Sequence, residues 1–227
     1  MMWREVALIA GKDLRVEIRS RVVLHQIVPF VATVLLLFAF ALDPDQGFLT
    51  KATPGLYWIA ILLSALVVIQ RTFTLEANDG GRDGLRSAGL DPAAIFLGKG
   101  AAVCAVLLGL EVLLLAAVAL FYGASLRGWP LLGVTAMLAT VGVVAPGMIF
   151  GVLATGQRVR ETLLPLLFLP VVAPVMIGAT NSFQAALRPP AQQAAAEGWR
   201  WCGLLAIFAL LYTVLGLIVF GPLLEDS

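Results

Sequence analysis

Ala93-Ala-Ile-Phe-Leu-Gly-Lys-Gly-Ala-Ala-Val-Cys-Ala-Val-Leu-Leu-Gly-Leu-Glu-Val-Leu-Leu-Leu-Ala-Ala-Val-Ala-Leu-Phe-Tyr122 carries charge only at Lys99 and Glu111. Crossing the ~30 Å hydrocarbon core of a bilayer takes about 20 mostly apolar residues in a helix. This run is longer than required, so its first turns are expected to protrude into water. Lipid leaves it no alternative to helix, because an isolated strand would leave its amides unpaired.

Five more runs share that character: Val22–Leu42, Gly55–Ile69 with its flanks (about 54–70), Pro130–Ala154, Leu163–Thr180 and Trp201–Leu223. The whole chain, 227 residues, is 60% hydrophobic and only 13% charged. A water-soluble domain typically carries about 25% charge, and a core this small cannot absorb the apolar excess. A bilayer can. The reading is all-α and integral to the membrane: one membrane domain, 1–227, with six transmembrane helices. A net charge of +1, with no basic tail, gives no sign of nucleic-acid binding.

The N-terminus is charged throughout its first twenty residues, unlike a cleavable signal peptide. Met2–Arg21 reads as an amphipathic interfacial helix. Trp3, Val6, Ala7, Ala10, Leu14 and Ile18 share one side at helical spacing, and Arg4, Lys12, Arg15 and Arg19 another. Its cations are expected to face anionic headgroups, although a plain charged anchor would look the same. Placing the N-terminus inside puts Arg4, Lys12, Arg15, Arg19, Arg21, Arg71, Arg82, Arg86, Lys99, Arg158 and Arg160 in the cytoplasm. Only Lys51, Arg127, Arg188 and Arg200 fall outside, so both termini are expected to be cytoplasmic. Trp129, Trp199 and Trp201 then lie at the outer interface.

No GxxxxGK[ST] phosphate loop is present, so ATP hydrolysis by this chain alone is not expected. HExxH, GxSxG and paired intramembrane carboxylates are missing as well. Cys104 and Cys202 lie in apolar runs without metal-ligand spacing, and read as small packing residues. His25, the only histidine, sits at the inner end of the first span, as a polar anchor or a ligand for haem iron. Glu111, mid-span, is a functional candidate because an ionisable group there costs several kcal/mol unless paired or hydrated. A polar contact with a neighbouring helix would also account for it.

The largest polar segment is Arg71–Lys99, where Glu76, Asp79, Asp83 and Asp91 alternate with Arg71, Arg82 and Arg86 among glycines. Asp91-Pro92 reads as a helix start with proline in the first turn. Such a segment suits docking by a cytoplasmic partner, or serves as a solvated connector.

Pro54-Gly-Leu-Tyr-Trp-Ile-Ala-Ile-Leu-Leu-Ser-Ala-Leu66, followed by Arg71, Phe73 and Asp79-Gly80, resembles the CcmB family. Gly98-Lys99, Ala145-Pro-Gly147 and Lys12-Asp-Leu-Arg-Val-Glu-Ile-Arg19 add to the resemblance. So does Leu163-Leu-Pro-Leu-Leu-Phe-Leu-Pro-Val-Val-Ala-Pro-Val-Met-Ile177. The resemblance implies the permease subunit of an ABC-type complex for cytochrome c biogenesis in the bacterial inner membrane. It implies a separate CcmA-type ATPase, which binds the ATP, and CcmC- and CcmD-type membrane proteins. A CcmE-type haem chaperone and a second copy of the chain complete the set. Haem would be cargo rather than a resident cofactor; alternatively, hydrolysis would drive release of the haem-loaded chaperone. Arg71, Phe73, Glu76, Asp79, Gly80, Arg82 and Leu85 become the candidate ATPase-coupling loop. Pro165, Pro170 and Pro174 become a candidate gating helix expected to face protein, since each proline removes a backbone donor. A static kink is the alternative. Rival readings are an ABC permease for lipid, drug or polysaccharide, a lipid-modifying membrane enzyme, and a non-transporting scaffold.

Overall fold

The computed structural model describes residues 2–21, 23–41, 46–78, 90–122, 128–155, 160–187 and 192–226. Among them there is no strand. The helices are α1 (Met2–Ser20), α2 (Val28–Ala41), α3 (Gln46–Asn78), α4 (Pro92–Tyr122), α5 (Trp129–Thr155), α6 (Arg160–Leu187) and α7 (Gln192–Asp226). A π-helical turn, Val23–Ile27, leads into α2.

Five helices, α3 to α7, are each long and apolar enough to cross a membrane. A sixth crossing exists only if α1 and His25–Phe38, bent by 47°, count as one broken span. Of the first expected span, 22–42, the described residues form the π-helical turn and α2, and the bend precedes them at the joint to α1. Arg21 takes a left-handed φ of 53° at the joint, and its carbonyl accepts from both the His25 amide and His25 Nδ1. At 14 residues, α2 covers only ~21 Å.

The other helices outrun the apolar runs read from sequence. The segments between expected spans, 43–54 and 181–200, are largely helical: α3 begins at Gln46 with Pro54 inside it, and α6 continues to Leu187. Apolar content marks where a helix meets lipid, but backbone hydrogen bonding continues into water. Asp91 caps α4 as expected: its Oδ1 accepts from the Ala93 amide at 2.9 Å, with Pro92 in the first turn.

The buried side chains form one continuous cluster running through all the helices. At the end of the bundle away from α1, a polar knot ties α5, α6 and α7. Thr135 Oγ1 and Ser182 Oγ are 2.6 Å apart, and Ser182 Oγ donates to the Gly198 carbonyl at 3.2 Å. The Cys202 thiol lies within 3.5 Å of both hydroxyls, so this cysteine belongs to the knot.

Candidate functional site

At the α1 end, α1 lies against α4 and the end of α3. Its residues divide into three sectors. Ile9 is buried and the Asp13 and Glu17 carboxylates face the bundle, while Trp3 and Ile18 are exposed to one side. Arg4, Lys12, Arg15 and Arg19 are all exposed. The approach is close enough to require glycine on α4. A Cβ on Gly98 would stand 2.8 Å from Ile9 Cβ and 3.1 Å from the Val6 carbonyl.

Two ion pairs fix the docking. The Lys99 ammonium donates to Asp13 Oδ2 at 3.1 Å, with Lys12 on the other oxygen at 3.1 Å. Arg71 Nε donates to Glu17 Oε2 at 3.2 Å. Asp13 and Glu17 lie in the Lys12–Arg19 stretch that carries the resemblance, but their pairing was not read from it. The available signal was an acidic pair one helical turn apart in a basic helix. Lys99, counted among the cytoplasmic cations, is only 2% exposed.

These contacts relocate part of the expected coupling loop. Arg71, Phe73 and Glu76 are helical residues of α3, not loop. Phe73 is buried, its ring filling the space where Gly151 of α5 has no side chain. Arg71 is engaged with Glu17. Asp79, Gly80, Arg82 and Leu85 lie outside the described residues.

Pro165, Pro170 and Pro174 sit inside one continuous helix. The expectation that this helix faces protein holds for one side only. Leu164, Phe168, Val172 and Val175 are buried, whereas Pro170, Pro174, Leu166 and Leu169 are exposed. Pro165 is half-buried, so only the donors missing at Pro170 and Pro174 fall on the outward face, where a helix can bow without displacing a neighbour.

Midway along the bundle, Glu111 of α4 joins four helices. Thr140 Oγ1 of α5 donates to Glu111 Oε1. Tyr57 Oη of α3 donates to the Glu111 carbonyl at 3.1 Å, and the Tyr57 ring stacks on Phe183 of α6 at 4.6 Å. Tyr57, Glu111 and Thr140 each lie about three turns, ~16 Å, from the far end of their helices, so the layer is level. Tyr57 lies in the 54–66 stretch that carries the resemblance, but neither it nor Thr140 was given a role of its own by the sequence. Their roles depend on which helices are neighbours. Among the described residues, no group of three His, Cys, Asp or Glu side chains could hold a metal ion.

This is a polytopic α-helical membrane protein, with a helix clamped across one end of the bundle and an acidic layer at mid-depth. The family model described as "CcmB protein" matches residues 4–222. Heme exporter protein B of Haemophilus influenzae is 31% identical over 179 residues, 78% of this chain and 80% of the relative. Heme exporter protein B of Pseudomonas aeruginosa is 30% identical over 185 residues, covering 80% and 82%. The chain belongs to the CcmB family.

Proposed function

We propose that the chain is the permease subunit of a haem exporter of the bacterial inner membrane, powered by ATP hydrolysis on a separate CcmA-type ATPase. The observation that carries this reading is the family match across residues 4–222, with relatives named for haem export. Both termini are cytoplasmic, and the ATPase docks at the α1 end. CcmC- and CcmD-type proteins and a CcmE-type chaperone complete the assembly, together with a second copy of this chain. The work delivered is haem export or release of the loaded chaperone.

The mechanics follow from the contacts at that end. A push on the segment between Asn78 and Leu90 bears on the end of α3 and the start of α4. The two ion pairs tie both helices to α1, so the three helices move as a unit rather than separately. That unit carries Glu111 and Tyr57 midway along its length, which gives a displacement at one end a route to mid-bundle. The prolines of α6 supply a helix able to bend in response.

Co-purification with the ATPase tests the dock. Charge reversal at Glu76, Asp79 and Arg82 should abolish capture while leaving the permease folded in the membrane. Undiminished capture would move the dock elsewhere.

A further inference from the structure

A groove of about 360 Å³ opens on the side of the bundle between α3, α4 and α5, from Trp129 at its rim to Glu111 at its floor. Tyr57, Trp58 and Phe183 give it aromatic walls. Val112 and Met137 at its mouth are exposed, at 70% and 57%, so entry is lateral.

Two residues of the lining each bury a polar atom that lacks a protein partner: Glu111 Oε2 and Trp58 Nε1. Their residues are 2% and 1% exposed. Stranded polar atoms on apolar walls are costly, and a hydrogen-bonding ligand would relieve them. The chemistry of the pair restricts its head. The indole N–H can only donate, so the ligand must accept. The carboxyl accepts when ionised and donates when protonated, so a head that does both suits either state. Among the described residues no Lys or Arg lines the groove to match an anion, and a cation would leave the indole unmet. Charged heads are also expensive to bring to this depth.

The geometry points to a binding site for a neutral lipophile whose hydroxyl or carboxamide head meets Glu111 and Trp58 while its apolar body lies along the aromatic walls. The volume admits about a dozen non-hydrogen atoms at ~30 Å³ each. The site is distinct from the α1 end and needs no ATPase to be filled.

The test uses purified full chain in lipid nanodiscs and bromine-tagged chains of about ten carbons, read by quenching of Trp58 and Trp129. Alcohol and carboxamide heads should quench saturably. Matched carboxylate and trimethylammonium heads, and a headless bromoalkane, should need roughly tenfold more, the equivalent of ~1.4 kcal/mol for one hydrogen bond. Gly133→Leu should remove the saturable phase with the fold intact, because nothing lies within 4 Å of where its Cβ would stand. Glu111→Leu should erase the preference for the alcohol over the bromoalkane. If that variant does not assemble, Trp58→Phe makes the same comparison, read from Trp129. Linear quenching by every probe would mean partition into lipid alone. Equal binding of charged or headless chains would mean that water satisfies the two atoms. Either result, or saturable binding that survives Gly133→Leu, overturns the site.

Discussion

Lys99 of α4 and Asp13 of α1 form a 3.1 Å ion pair beneath the docked helix, with the lysine almost wholly removed from solvent. Removing one member of a buried pair leaves a stranded charge, which typically costs about 3–5 kcal/mol. Asp13 keeps Lys12 and some exposure, so Lys99→Met should fall toward ~3 kcal/mol. Asp13→Asn combined with Lys99→Met should reveal a coupling of roughly 1–3 kcal/mol in a double-mutant cycle of detergent unfolding. Additive losses would show that the pair does not hold α1.

Docking also depends on the missing side chain at Gly98. Gly98→Ala should lift α1, because the new methyl meets Ile9 and backbone at contact distances that cannot be met without movement. Overpacking of this kind costs about 1–3 kcal/mol. Gly109→Ala in the same helix meets nothing within 4 Å, and should be neutral or stabilising by up to ~1 kcal/mol. Thermal melts of the two variants give the comparison directly.

At mid-bundle, Thr140→Val removes the donor to Glu111, and Tyr57→Phe removes the donor to its carbonyl. Hydrogen bonds between membrane helices average ~0.6 kcal/mol and reach ~1.7. Thr140→Val should lie at the upper end, since it strands a second carboxyl oxygen beside the one already unpaired. Tyr57→Phe should lie nearer the average. Unfolding by denaturing detergent measures both, and the reverse order would contradict the layer's geometry.

Gating by α6 makes a functional forecast. Alanine at Pro165 and Pro174 should restore straight helix and lower cytochrome c output roughly tenfold, a barrier increase of ~1.4 kcal/mol, at normal protein abundance. Unchanged output retires the gating idea and leaves the prolines as static bends.

Orientation is checked in intact cells. A single thiol introduced at Arg82 should be labelled only after the inner membrane is made permeable. Labelling by an impermeant reagent in intact cells would place the 71–99 stretch on the periplasmic side and remove the ATPase dock.

The run 93–122 was enough to make α4 a membrane helix, because apolar length and the demand for paired amides leave one solution in lipid. Asp91-Pro92 was enough to start it, since capping is local. The amphipathic N-terminus and the apolar spans were equally legible. Helix ends were not, because α3 and α6 keep their hydrogen bonds well past the point where apolar composition stops. Nor was the fate of particular charges. Lys99 and Arg71 read as surface cations until Asp13 and Glu17, far away in sequence, lay against them. Glu111 was visible as an anomaly, but its partners Tyr57 and Thr140 were not, since a serviceable hydroxyl is recognised only by what it touches. Lipid solvation thus determines from composition alone that this chain is a bundle of membrane helices. Which faces meet, and so which polar groups are answered and which are left without a partner, is decided only by packing between helices that the chain order does not specify.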